Sequence, residues 1–239
     1  VRRRFFVEKF DDDTARMEGE AAHHLGRVLR AQSGQLYELS DGERVFLGRI
    51  DDVGREHVKF SLLEELPAYK IALQVTLLLA VVKFDAFEWA LEKATELGVA
   101  TIVPLAAARS EKGLLAAAKK RAERWNKILL EASQQSRRVR LPFLQEVAKP
   151  QQAFASYGEG ALVMLSERPS AQPLRTILAG QTTHHAILAI GPEGGWTDEE
   201  FSSANSAGFR EASMGKLILR TETAVVTALA SLNYALGEG

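Results

Sequence analysis

"ILAIGPEGGWTDEE", residues 187–200, sets an apolar run against three glycines, a proline and an acidic stretch. The run has the composition of a strand buried on both faces of a parallel sheet. Thr197 with Glu200 three residues later is a capping-box signature, so a helix should start there. Buried strand, glycine turn and capped helix together are the repeating unit of open α/β sheets. Such a turn often presents backbone N–H groups to a phosphate at the helix N-terminus. Glu193 stands where that anion would sit, so a pure phosphate cradle is a poor reading and the loop needs another ligand.

Working outward, the same rhythm holds from Lys70 on. "IALQVTLLLAVV" (71–82), "VATIVPL" (99–105), "ALVMLSE" (161–167) and "HAILAIG" (185–191) read as buried strands. Between the first two, Asp85 and Glu88 form a second capping-box pattern, Phe87, Leu91 and Ala94 make one apolar face, and Gly98 closes the helix. A long basic helix then runs to about Ser136 with Trp125, Ile128, Leu129 and Ala132 inside, a helix from Thr197 ends at Gly208, and residues 215–237 pass through a loop into a last helix. Alternating strands and helices predict a parallel sheet covered on both faces.

The first part of the chain reads differently. "QLYEL" (35–39) and "RVFLGRI" (44–50) flank an Asp-Gly pair, a hairpin signal. Val58, Phe60 and Leu62 alternate in "HVKFSLL" (57–63), and one short helical piece, "EAAHHLGRVLR" (20–30), interrupts the strands. Pro67 marks the change of pattern. The expected organisation is a small β-barrel domain over residues 1–68 and an α/β domain over residues 69–239.

With 239 residues, 46% hydrophobic and 26% charged, the chain is of ordinary globular composition. No apolar run approaches the roughly 20 residues that span a bilayer, and the basic opening has no apolar core after it, so neither a membrane span nor a secretory signal is expected. The absence of cysteine excludes disulfides, thiolate metal sites and thiol nucleophiles. A cytoplasmic address is the expectation. The net charge of −1 hides a segregation: residues 109–140 carry ten Lys and Arg against three Glu, +7 in one segment. That points either to a surface facing a polyanion or to a solvated helix face.

The usual nucleotide fingerprints G-x-G-x-x-G and G-x-x-x-x-G-K-[ST] are missing, as is a G-x-S-x-G nucleophile elbow. His23–His24 and His184–His185 are adjacent pairs whose side chains do not face one another, so no metal site is expected. Trp89, Trp125 and Trp196 read as core or lid residues, with Trp196 bordering the glycine loop.

"IGPEGGWTDEE" (190–200), followed by "MGKLILRTETA" (214–224), resembles the knotted SPOUT class of S-adenosylmethionine-dependent RNA methyltransferases. "HHLGRVLR" (23–30), "KFDAFEWALEKATELGV" (83–99), "ARSEK" (108–112) and "RWNKILLEASQQSRRVRLP" (124–142) narrow the resemblance. They are similar to the bacterial family that methylates one uridine of 16S ribosomal RNA at its imide nitrogen, N3. The resemblance implies a PUA-like barrel followed by a SPOUT-type parallel sheet with a C-terminal trefoil knot. It implies S-adenosylmethionine held by Leu165, Ile190, Gly191, Pro192, Glu193, Gly194, Gly195, Met214, Gly215, Leu217, Ile218 and Leu219. The glycines would then let backbone amides approach the ligand, and Glu193 would suit its positive charges. The alternative is a glycine turn that merely caps the helix at Thr197, stiffened by Pro192.

For the transfer, Arg220 is the candidate cation beside the uridine carbonyls and Glu222 the candidate base, with Glu193 as the alternative base and helix capping as the structural alternative for Glu222. Arg2, Arg4, Arg30, Lys83, Lys93, Arg109, Arg137 and Arg138 are the candidate RNA contacts. The implied partners are 16S ribosomal RNA, in an assembled or partly assembled small subunit, and a second copy of the chain, with no metal and no membrane. Rival readings are a SPOUT enzyme acting on a ribose or another base, and a non-catalytic RNA-binding assembly factor.

Overall fold

The computed structural model describes residues 3–237. They form two compact units: the chain up to Lys70 with Ser133–Leu141, and Ile71–Ala132 with the chain from Pro142 onward.

In the first unit, β1 (Arg4–Phe6), β2 (Phe10–Asp11), β3 (Thr14–Glu18), β4 (Leu36–Ser40), β5 (Val45–Val53) and β6 (His57–Leu66) form one sheet in the order β1-β4-β5-β6-β3-β2. β1 runs parallel to β4, and the other pairs are antiparallel. The two edges, β1 and β2, are joined by residues 7–9 alone. Four residue steps reach at most about 14 Å, whereas six flat strands would set the edges about 24 Å apart. The sheet is therefore strongly curled, around Phe5, Leu39, Ile50, Val58 and Phe60. α1 (Gly19–His23), continued by a π turn over His24–Val28, adds Leu25 to that core. The Asp-Gly hairpin forms as expected between β4 and β5. Asp41 accepts from the backbone N–H groups of Glu43 (2.9 Å) and Arg44 (2.8 Å), and Gly42 takes φ +93°.

Sequence periodicity assigns residues 133–141 to the α/β domain, but the structure packs them with the curled sheet. Arg4 donates to the Arg137 carbonyl (2.6 Å), Ser40 to the Val139 carbonyl (2.7 Å) and Arg140 to the Gly42 carbonyl (3.1 Å). These partners lie 98 to 133 residues apart, beyond the reach of any local pattern.

The second unit holds β7 (Gln74–Ala80), β8 (Thr101–Leu105), β9 (Phe143–Leu144), β10 (Ala161–Leu165), β11 (Gln172–Pro173), β12 (His185–Ile190) and β13 (Arg210–Ser213). All pairs are parallel, in the order β11-β13-β10-β12-β7-β8-β9. Its helices are α2 (Phe84–Glu96), α3 (Lys112–Ala118), α4 (Ala122–Gln135), α5 (Pro150–Ala155), α6 (Leu174–Leu178), α7 (Asp198–Ser206) and α8 (Thr221–Leu236). Successive β7 side chains point to opposite faces. Val75, Leu77 and Leu79 join the core made with α2, α4, α6 and α8, while Leu78 and Ala80 join the one containing Phe154 of α5 and Phe201 of α7. Two covered faces are why these strands read as unbroken apolar runs.

Two helix expectations are corrected. α2 has Lys83 as N-cap, with no side-chain cap hydrogen bond, so the Asp85/Glu88 capping box does not form. Glu88 instead turns inward, only 8% exposed, and pairs with Arg121 (2.9 Å) and Arg124 (2.7 Å). The long basic helix is in fact α3 and α4, separated by a 3-10 turn at Lys119–Arg121 that places Arg121 over the Phe84 ring. The capping box at α7 does form: Glu200 N–H donates to Thr197 Oγ1 (3.3 Å), and Thr197 N–H to the Glu200 carboxylate (2.8 Å).

Candidate functional site

β13, β10 and β12 are neighbours, with Leu165 beside Ala212 and Met164 beside Ala189. The three strands end level, so the segments that follow them leave one edge of the sheet together. Ligands in parallel α/β sheets bind beyond that edge. The segment after β12 is the glycine loop, and residues 214–220 follow β13. The two meet where the Thr221 hydroxyl donates to the Gly191 carbonyl (3.4 Å).

The three loop glycines have three different causes. A Cβ on Gly191 would stand 2.9 Å from Trp196 Cε2, so this position serves the indole. Trp196 is 4% exposed and donates through Nε1 to the Leu165 carbonyl (3.1 Å), which ties the loop to the end of β10. Gly194 lies against the Arg109 stem, and its carbonyl accepts from Arg109 Nη1 (2.7 Å). Gly195 adopts φ +68°, where L side chains are strained, while its N–H donates to Pro192 O (2.8 Å). Within the protein itself, Trp196 thus requires the glycine at 191 and the positive φ favours it at 195, whereas a Cβ at 194 would meet the Arg109 stem only at ordinary contact distance.

The second loop leaves main-chain groups without a protein partner. Met214 and Leu219 pack against the core beneath, and Gly215, at φ +135°, is held by the Ser213 hydroxyl. Among the described residues the main chain of residues 216–219 makes no hydrogen bond, and Leu217 and Ile218 are 82% and 78% exposed. Free backbone donors and acceptors beside bare apolar side chains fit a planar heterocycle read by main-chain groups. Glu193 is exposed on the facing loop and fits a cationic ligand group. Ile190 and Pro192 are buried at its base. Arg220 is exposed at the N-cap position of α8 and Glu222 lies in the first turn. No side-chain cap forms there, and no ion pair joins Arg220 to Glu222 among the described residues.

Contacts that show no local signal brace this edge. Glu200, 1% exposed, accepts from Ala108 N–H (2.9 Å) as well as capping α7, and so links the segment after β8 to the glycine loop. Arg168 stacks on Phe201 (3.6 Å to the ring centroid), pairs with Asp198 and faces Glu211 (3.9 Å), joining the ends of β10 and β13 to α7. The Glu199 carboxyl is held below its ordinary value by its own backbone N–H, then by the Thr197 hydroxyl and the charge of Arg109.

The candidate RNA residues divide. Arg2 lies outside the described residues. Arg4 is buried and ion-paired with Glu38 (2.9 Å), which leaves it no surface to offer a phosphate. Arg138 is buried too, and desolvation lowers its guanidinium to about 10. Arg30, Lys83, Arg109 and Arg137 are exposed. Arg137 also faces Glu38 (3.6 Å), and Lys93 is engaged by Glu92 (2.6 Å) and Glu96 (2.8 Å). The +7 segment is thus partly neutralised by Glu38, Glu43 and Glu88, while Lys112, Lys119, Lys120 and Lys127 stay exposed.

A separate cleft of about 820 Å3 in the first unit is lined by Arg16, Glu18, His23, Arg27, Glu56 and His57 among others. Within its lining Arg16 pairs with Glu18 (2.6 Å), and His57 meets Asp52 (2.9 Å). Among the described residues no cluster of three or more His, Asp or Glu is placed to hold a metal, and no helix is long and apolar enough to cross a membrane.

Residues 70–233 match the family model of an RNA methyltransferase domain. A Synechocystis protein named Ribosomal RNA small subunit methyltransferase E is 34% identical, covering 96% of this chain and 76% of the relative. The Bacillus subtilis protein of the same name is 30% identical, covering 97% and 96%. Among solved structures, a Legionella pneumophila protein in complex with bound cofactor SAM has a TM-score of 0.89 at 29% identity, covering 100% of both chains. A Neisseria gonorrhoeae Ribosomal RNA small subunit methyltransferase E bound to S-adenosyl methionine has a TM-score of 0.87 at 27% identity, covering 99% of each.

Proposed function

The chain belongs to the RNA methyltransferase domain family, and on that premise we propose that it transfers a methyl group from S-adenosylmethionine to the N3 nitrogen of one uridine in 16S ribosomal RNA. The observation that carries the reading is the pair of loops joined by Thr221 and Gly191 at neighbouring strand ends, one with free main chain and bare apolar side chains. The names of the relatives and the SAM bound to the two structural neighbours support it.

In this reading the main chain of residues 216–219, with Leu217 and Ile218, holds the adenine, and Leu165, Ile190, Met214 and Leu219 form the floor. Glu193 faces the positively charged end. When bound, S-adenosylmethionine supplies a methyl group already activated on a sulfonium. The protein's task is to ready the nucleophile. Arg220 favours negative charge on the uridine carbonyl oxygens, and Glu222 takes the imide proton. The target base must leave its stack, at a cost of a few kcal/mol, and Arg30, Lys83, Arg109 and Arg137 supply phosphate contacts that hold the RNA without reading its sequence. The finer architecture belongs to the same proposal: a trefoil knot in the second unit, a PUA-like first unit that binds RNA, a homodimer, an assembled or partly assembled subunit as substrate, and a cytoplasmic address. Exposed Trp89 and Tyr234 support a second copy as partner.

The test is incubation of the protein with S-adenosylmethionine and small-subunit ribosomal RNA, followed by nucleoside mass spectrometry. Appearance of 3-methyluridine is expected. A calorimetric titration with S-adenosylmethionine that gives no heat, or methylation confined to a ribose or another base, refutes the assignment. Arg220→Ala should lower kcat by about 100-fold with RNA affinity little changed.

A further inference from the structure

Arg109 stands out at the glycine loop because its two ends do different work. Its backbone is fixed: Ala108 N–H donates to the buried Glu200 carboxylate (2.9 Å), and Ser110 N–H to Ala107 O (3.0 Å). Its stem packs on Gly194, where a Cβ would come within 3.4 Å of Arg109 Cβ, and its Nη1 donates to the Gly194 carbonyl (2.7 Å). Arg109 is exposed and its guanidinium meets no carboxylate within 4.0 Å among the described residues, its charge acting at longer range on the Glu199 carboxyl. A guanidinium carries five N–H donors in a fixed plane, and the Gly194 carbonyl occupies one of them.

We propose that Arg109 is a positioning residue through which RNA phosphate and the methyl donor reinforce each other's binding. This rests on the function proposed above. The bond from an exposed arginine to a neutral carbonyl is a weak tether by itself, because the long side chain loses rotamer freedom in making it. A phosphate gripped by the outward N–H groups immobilises the same side chain, so that the tether on Gly194 is held at no further entropic cost. The loop carrying Glu193 is then restrained before the donor arrives. By linkage, the donor tightens RNA binding by the same factor. A lysine could not do both, because its ammonium is a single point of attachment without a fork.

The experiment measures calorimetric affinity for sinefungin, a non-transferring donor analogue, with and without a transcript of small-subunit ribosomal RNA. Wild-type protein should bind sinefungin about 5-fold or more tightly when the transcript is present, the lower end of typical couplings. Arg109→Gln is shorter than arginine and uncharged, so it should lose the enhancement. Arg109→Ala should change the affinity measured without RNA by less than about 3-fold and show no enhancement. Arg109→Gln with wild-type enhancement, or wild-type protein that binds sinefungin equally with and without RNA, overturns the coupling. No sinefungin binding by wild-type protein at all refutes instead the methyl-donor reading on which it rests.

Discussion

Gly191→Ala should destabilise the protein, and the reason is the indole beneath it. An ideal Cβ at this position would lie 2.9 Å from Trp196 Cε2, 3.0 Å from Nε1 and 3.2 Å from Cδ2. The ring has little freedom to retreat, because it is 4% exposed, bonded to the Leu165 carbonyl (3.1 Å) and set edge-on against Phe154. Forcing an extra carbon into such packing costs about 1–3 kcal/mol, and a lost indole hydrogen bond adds about 1 kcal/mol. Since Gly191 is not among the residues with positive φ, loss of unfolded-chain freedom offsets about 0.4–1 kcal/mol. The net is about 1–3 kcal/mol, or a fall in Tm of about 2–12 °C for a chain of this size. Urea and thermal unfolding of Gly191→Ala, Trp196→Phe and the double variant measure it. The smaller ring should recover at least about 1 kcal/mol of the alanine's cost, as contacting residues in a double-mutant cycle do. An unchanged Tm in Gly191→Ala, or the same loss in both backgrounds, refutes the assignment of this glycine to the indole. It would return the position to the ligand.

Gly195→Ala, at φ +68°, should cost about 1–2 kcal/mol, and Gly195→Asn much less, as read by denaturation midpoints; equal losses would mean the left-handed backbone is not what requires glycine. Glu88→Ala should lower stability by about 1–2 kcal/mol through the unpaired Arg121 and Arg124, whereas Asp85→Ala should change it by less than about 0.5 kcal/mol; the reverse order would restore the capping box. Burial pushes the Asp41 carboxyl up, but the backbone N–H groups of Arg44 and Glu43 and the Arg44 charge outweigh it, leaving the folded value lowered. Stability from Asp41 is therefore present above the unfolded value of about 3.9 and lost as pH falls through the folded one. Asp41→Asn should flatten that acid limb of the stability curve, and an unchanged slope counts against the hairpin contacts.

Much of the fold was legible in short stretches. The two-faced burial of β7 shows in its unbroken apolar run, the β4–β5 hairpin in Asp41–Gly42, and the start of α7 in Thr197 and Glu200. Each depends on groups within a few residues of one another. The same pattern at Asp85 and Glu88 misled, because a capping box also needs the chain to enter the helix at the right residue, and α2 begins two residues earlier, with Lys83 as N-cap. Glu88 is then better satisfied by arginines 33 and 36 residues away. Of the candidate site, the strand ends and both loops could be found from the sequence. Arg168 and the second role of Glu200 could not, since nothing near them in the chain announces their partners.

The sequence by itself determined the alternation of strands and helices, the place of the two loops and, through its similarity to known proteins, membership of the RNA methyltransferase domain family. Tertiary structure decided what Gly191 packs against, which arginines remain exposed and which unit residues 133–141 join. Periodicity and caps are written in neighbouring residues. A Cβ clash with Trp196 or an ion pair with Glu38 exists only once distant segments have packed, and there the desolvated charge or the filled space selects its partner regardless of distance along the chain.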